Sequence, residues 1–99
     1  MSVLTLRSGA FVPGTTQNLT STGTTQQSAA VSSVASIIRI ACQQDTYITI
    51  GANPVADASS MMILGGGSEF LAVVPGVTKV AVKQISTAGL VSITELTGY

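Results

Sequence analysis

Charge is what this chain lacks most: Asp, Glu, Lys and Arg make up 8% of its 99 residues, against roughly 25% in an ordinary soluble domain. Four basic and four acidic residues cancel to a net charge of zero. No basic stripe exists to follow a phosphate backbone, so nucleic acid is not an expected partner. Histidine is absent, which removes the usual general base and the commonest metal ligand. Cys42 is the single cysteine, so an intramolecular disulfide framework and a zinc site of Cys and His are both excluded. There is no Trp, and aromatics are 4% of the chain. Phe11, Tyr47, Phe70 and Tyr99 are too dispersed to form a row of rings on which sugars or bases would stack. No apolar run approaches the roughly 18 residues that span a bilayer. The start, Met1-Ser2-Val3-Leu4-Thr5-Leu6-Arg7, lacks a basic region ahead of a long apolar stretch. Neither a membrane span nor a signal peptide is expected.

Ser, Thr, Gln and Gly must therefore cover the surface. A neutral, hydroxyl-rich exterior gives little repulsion between copies and suits a subunit packed against neighbours better than a free enzyme. Association is then expected to rest on neutral hydrogen bonds and apolar contacts. Hydrophobic residues are 45% of the chain, and with so few aromatics they imply one thin, aliphatic core within a single domain.

Composition divides the chain near residue 30, into an N-terminal strand and polar arm at 1–30 and a β-sandwich core at 31–99. Residues 13–28, Pro-Gly-Thr-Thr-Gln-Asn-Leu-Thr-Ser-Thr-Gly-Thr-Thr-Gln-Gln-Ser, hold one large apolar residue, Leu19. Such a segment cannot bury itself. Two readings stand: an extended arm ordered by a neighbouring chain, or an ordinary surface loop with an added edge strand.

Beyond residue 30 the pattern is that of strands. Val34, Ser36, Ile38, Ile40 and Cys42 alternate with Ala35, Ile37, Arg39 and Ala41, the first set facing inward near its end. A turn at 43–45 leads to 46–50, with Ile48 and Ile50 on one face. A short apolar run at 61–64 precedes Gly65-Gly66-Gly67, which permits a turn needing positive φ. Leu71 and Val73 then share a face, and Pro75-Gly76 fits the central positions of a type II turn. Val80 and Val82 lie opposite Lys79 and Lys83, and Val91 and Ile93 close the chain. Turn signals every 8 to 12 residues or so predict an all-β fold, an antiparallel sandwich of jelly-roll type. A short helical turn within 26–42 is the competing local reading, opposed by the β-branched residues from Val34 to Ile40. The predicted core is Ile38, Ile40, Ile48, Ile50, Leu71, Val73, Val80, Val82, Val91 and Ile93.

The residues carry no catalytic constellation, and no catalytic, cofactor-binding or metal-binding residue is assigned. No serine sits in a nucleophile elbow, and Cys42, in phase with Ile38 and Ile40, reads as a buried small hydrophobe. Asp45, Asp57, Glu69 and Glu95 are far apart in sequence and read as solvated carboxylates at turns or strand ends; a calcium site built from two of them is the competing reading. The three glycines lack the Lys and Ser/Thr of a phosphate loop, and Asn18-Leu19-Thr20 matches the glycosylation pattern only as a Thr-rich segment does by chance.

The run at 40–54, Ile-Ala-Cys-Gln-Gln-Asp-Thr-Tyr-Ile-Thr-Ile-Gly-Ala-Asn-Pro, resembles a segment of small virion proteins of tailed bacteriophages. Residues 61–64 with their Gly-rich turn, Glu69-Phe70, Val74-Pro75-Gly76, Lys79-Val80-Ala81-Val82 and the closing Val91-Ser92-Ile93-Thr94-Glu95-Leu96 are similar to the same kind of protein, in order. The resemblance covers rather more than half the chain, and residues 13–28 have no counterpart in it. It implies a small β-sandwich and a non-enzymatic, cofactor-free structural role. The expected function is that of a head decoration (cement) protein on the capsid surface of the virion. Its partners would be the major capsid protein and neighbouring copies in a homo-oligomer, with no nucleic acid and no membrane. A tail, adaptor or fibre accessory subunit is the alternative, because the same motif recurs there. A surface carbohydrate-binding module is a more distant one.

Overall fold

Period-two alternation of β-branched residues builds eight strands, described by a computed structural model for residues 11–98. They are β1 (Phe11–Thr20), β2 (Gln26–Gln27), β3 (Ile37–Cys42), β4 (Thr46–Gly51), β5 (Met61–Ile63), β6 (Ser68–Ala72), β7 (Lys79–Gln84) and β8 (Leu90–Gly98). The expectations placed on residues 1–10 and Tyr99 lie outside the described residues. One sheet has the order β1-β8-β3-β6 and the other β2-β7-β4-β5. Every pairing is antiparallel, and the ribbons β1·β8, β2·β7, β3·β6 and β4·β5 nest inside one another. The chain is thus one long hairpin, wrapped so that successive ribbons alternate between sheets, which is the jelly-roll topology expected from the sequence.

Between the sheets lie Ile38, Ile40 and Cys42 of β3, Ile48 of β4, Ile63 of β5, Val80 and Val82 of β7, and Val91 and Ile93 of β8. Fully burying one such Ile or Val side chain stabilises by about 1.5 to 3 kcal/mol. Ile50, Leu71 and Val73, also expected in the core, are half-buried at its margin. Leu71 and Val73 lie at the flank, on or just past an edge strand, with a neighbour on one side only.

Three expectations need correction. The strand does not begin at Val34: that residue is 84% exposed, because residues 33 and 34 form a turn and β3 starts at Ile37. Ala35 and Val31 are buried instead. The helical reading of 26–42 gives way to β2, a crossing segment and β3. The reading of 13–28 as an arm carried by a neighbour gives way to its alternative, since the segment supplies an edge strand to each sheet, β1 along β8 and β2 along β7.

The polar edge is closed by side chains that serve backbone. Gln17, opposite Ile93 on the inward row, accepts from Ala29 N–H at 2.9 Å and donates to Ala29 C=O at 3.2 Å. Ser28 Oγ accepts from Val80 N–H at 2.9 Å, and Ser21 Oγ accepts from Gly89 N–H at 3.1 Å. Among the described residues, no buried side-chain nitrogen or oxygen lacks a hydrogen-bond partner, as a thin core demands. Gly66 (φ 82°) and Gly76 (φ 73°) take the left-handed conformations expected of their turns. Val77 N–H donates to Val74 C=O at 3.1 Å across Pro75-Gly76.

Candidate interaction surface

The two outer faces of the sandwich are built differently. On β7, Ala81 points away from the core yet is 0% exposed, because residues 52–60 fold back over it. Gln27, paired with Ala81, donates to Asn53 Oδ1 at 3.0 Å and to Pro54 C=O at 2.8 Å. Thr25 Oγ1 accepts from Ala56 N–H at 3.0 Å, and Thr49 Oγ1 donates to Ser60 Oγ at 2.6 Å. Pro54 and Ala56 are buried beneath this loop. The β2-β7-β4-β5 sheet is therefore covered by its own chain around Gln27, Ala81 and Thr49, while Met62 of β5, on the same outer face, stays exposed.

Among the described residues, no loop is hydrogen-bonded over the outer face of the other sheet in this way. Its rows run Arg39, Thr94 and Thr16, then Ala41, Ser92 and Asn18, with Phe70 opposite Arg39 on β6. Phe70 is 55% exposed. Its ring lies 5.7 Å from that of Phe11, the planes tilted by 30°. A shallow open depression of about 300 Å³ lies near by, lined by Arg39, Ala41, Cys42, Gln43, Leu90 and Ser92 among others. It contains one cation and no carboxylate.

At one end of the sandwich two turns are stitched together. Gly76 N–H donates to Ser32 C=O at 2.8 Å and Val73 N–H to Ser36 C=O at 3.0 Å. The joined turns leave Val34, Val74 (59%) and Val77 (47%) exposed. Exposed apolar residues rimmed by polar ones mark contact surfaces when they cluster.

The chemistry-bearing residues are spent on structure. Cys42 is buried, and burial pushes its thiol above its ordinary pKa, the opposite of a reactive thiolate. Asp45 Oδ1 accepts from Gly65 N–H at 2.7 Å. Asp57 Oδ1 accepts from Ser59 Oγ at 2.6 Å and Ser59 N–H at 2.9 Å, which holds its exposed carboxyl below its ordinary pKa. Glu95 corrects the reading of a carboxylate at a strand end: it sits within β8 opposite Ile38, and its oxygens accept from Ser32 N–H at 2.9 Å and Ser32 Oγ at 2.7 Å. Glu69 is exposed on β6. Among the described residues, no group of three or more His, Cys, Asp or Glu is placed to hold a metal ion. Sequence reading missed the covered Ala81 and the stitched valine end, since both depend on contacts between segments distant in the chain.

Compared with protein-family models, with curated proteins and with solved structures, the chain matches none.

Proposed function

We propose that this chain is a structural virion protein of a tailed bacteriophage, a non-enzymatic subunit that binds the head in many copies and strengthens the shell. The observation that carries the reading is the surface: nearly uncharged, yet bearing exposed large apolar side chains that include Phe70 on one sheet, Met62 on the other, and Val34, Val74 and Val77 at one end. A protein that lives free in solution gains nothing from leaving Val34, Val74 and Val77 exposed together at one end. A subunit buried among neighbours does, because each weak apolar contact is multiplied by the symmetry of the shell. The jelly roll is compatible with that role, being a frequent architecture of capsid domains, although folds alone do not assign functions.

The test is negative-stain imaging of purified particles with a label directed at this chain. Label spread over the whole head is the expected result. Label at one vertex or on the tail would replace head decoration with an adaptor or tail role, and particles without label would remove the virion reading.

A further inference from the structure

Two aromatics that are far apart in the sequence meet on the open sheet. Phe11 of β1 and Phe70 of β6 belong to its opposite edge strands, yet their ring centroids are 5.7 Å apart, and Phe70 stays half exposed. The dispersal that argued against stacked sugars is undone by folding for this pair. Directly opposite Phe70 stands Arg39, and beyond Arg39 the depression opens.

The depression has a simple origin in side-chain size. Along β3 and into the turn that follows, the outward residues run Arg39, Ala41 and Gln43, so a methyl group sits between two long side chains. Gly66 and Gly67 border it without side chains, and a Cβ on Gly66 would meet nothing within 4 Å. What the walls offer is mostly N–H. Gln43 Oε1 already accepts from Leu90 N–H at 3.1 Å, so its amide has N–H left to give, beside the Arg39 guanidinium and the Ser92 hydroxyl. Among the described residues the outward rows of this sheet carry Arg39 and no carboxylate, since Glu69 and Glu95 stand on the inward rows. Such a surface is complementary to an acceptor-rich anion.

The backbone decides between a peptide and a sugar. β3 and β8, which floor the depression, are interior strands with partners on both flanks. An extended peptide lying there finds no free main-chain groups, the source from which strand addition draws its affinity. A saccharide needs none, because it presents hydroxyls to side chains and a C–H face to an aromatic ring. From the row of Phe70 and Arg39 to Gln43 is four residues of extended chain, about 13 Å, room for a short oligosaccharide. We propose that this face binds an acidic oligosaccharide of hexuronate units, with a carboxylate paired to Arg39, hydroxyls to Gln43 and Ser92, and one ring face against Phe70. Sugar binding here does not require the chain to sit on a virion, so the particle label and a sugar titration can fail independently.

The experiment is a titration of the isotope-labelled full chain followed by its amide chemical shifts, with trimers of galacturonate, of glucose and of glutamate as probes. A neighbour covering Phe70 would exclude the sugar, so the protein is kept dilute. The galacturonate trimer is expected to give saturable shifts at residues 39–43, 66–70 and 90–92. The glucose trimer, which lacks the carboxylates, should bind about tenfold more weakly, and so should the galacturonate trimer to Arg39→Gln. Ala41→Leu fills the floor and should abolish the shifts, while Phe70→Ala should weaken binding about threefold. Met62→Ala, on the outer face of the other sheet, should leave binding unchanged. Thermal unfolding of each variant, expected to match the parent, separates a lost site from a lost fold. No saturable shift with the galacturonate trimer, equal binding of the glucose trimer, or undiminished binding by Arg39→Gln, Ala41→Leu or Phe70→Ala would each overturn the proposal. Equal binding of the glutamate trimer would overturn it too, making the face a site for acidic peptide.

Discussion

The two sheets share one core and differ on their backs. Behind β2-β7-β4-β5, residues 52–60 fold down and bury an alanine on the outward row, with Gln27, Thr25 and Thr49 hydrogen-bonded to the loop. Behind β1-β8-β3-β6 no loop descends among the described residues, and Phe70, Arg39 and a file of Thr, Ser and Asn side chains face outward. A strand's outward residues therefore do not say alone whether its face is solvent, self-contact or interface; that depends on whether a connection is long enough to return. The uncovered sheet is also the one with the longer edge strands, β1 and β6, so the features that invite a partner lie on the same side.

The most damaging test of this comparison removes material common to both sheets. Deleting residues 14–27 takes most of β1 and all of β2, along with Leu19 and the hydrogen bonds of Gln17 and Ser21. The variant should show no cooperative thermal transition by circular dichroism; a transition near that of the parent would mean the edge strands are dispensable. Next in size are the core positions shared by the sheets. Ile40→Ala and Ile48→Ala should each cost about 2 to 5 kcal/mol in denaturant unfolding, since both side chains are fully buried. A large loss at one and almost none at the other would mean the sheets do not share a core.

Smaller, and more specific to the outer faces, is the contrast between Ala81 and Arg39. Ala81→Leu must push the 52–60 loop away and should cost about 1 to 3 kcal/mol. Arg39→Leu, on the open face, should stay within about 0.5 kcal/mol of the parent. Equal effects would erase the distinction. The smallest expected effect concerns Asp57, whose carboxyl is held below its ordinary pKa by Ser59. A depressed pKa means the bonds to Ser59 are intact above the ordinary carboxylate range and are lost as pH falls through the folded-state value. Amide exchange at Ser59 should quicken over that acidic range and be indifferent to pH in Asp57→Asn after correction for intrinsic rates. An unchanged Ser59 amide in the parent would mean the turn stands without the carboxylate.

Much of this architecture is legible in the sequence because it is local. Ile48 with Ile50, and Val80 with Val82, mark inward rows wherever a strand is flanked on both sides, and Pro75-Gly76 marks a turn whatever surrounds it. Val34 misled because period-two alternation runs back past the start of β3 into a turn, where phase has no meaning. The polar segment at 13–28 gave no strand signal, since edge strands bury little and β1 finds its partner some 80 residues away. Glu95 reads as a solvated acid until the crossing segment brings Ser32 against it. As for the candidate surface, the scarcity of charge announced that one would be needed, and only the fold shows where it lies.

The central claim is that the open sheet, through Phe70 on β6 and the face beside it, is where this protein meets its neighbours. The most direct measurement is amide hydrogen exchange on the full chain at low and at high concentration. The account predicts that raising the concentration protects residues 68–72 while leaving 52–60 and 79–84 as they were. Protection confined to the loop-covered sheet, or none at 68–72 in a sample that has associated, would contradict it.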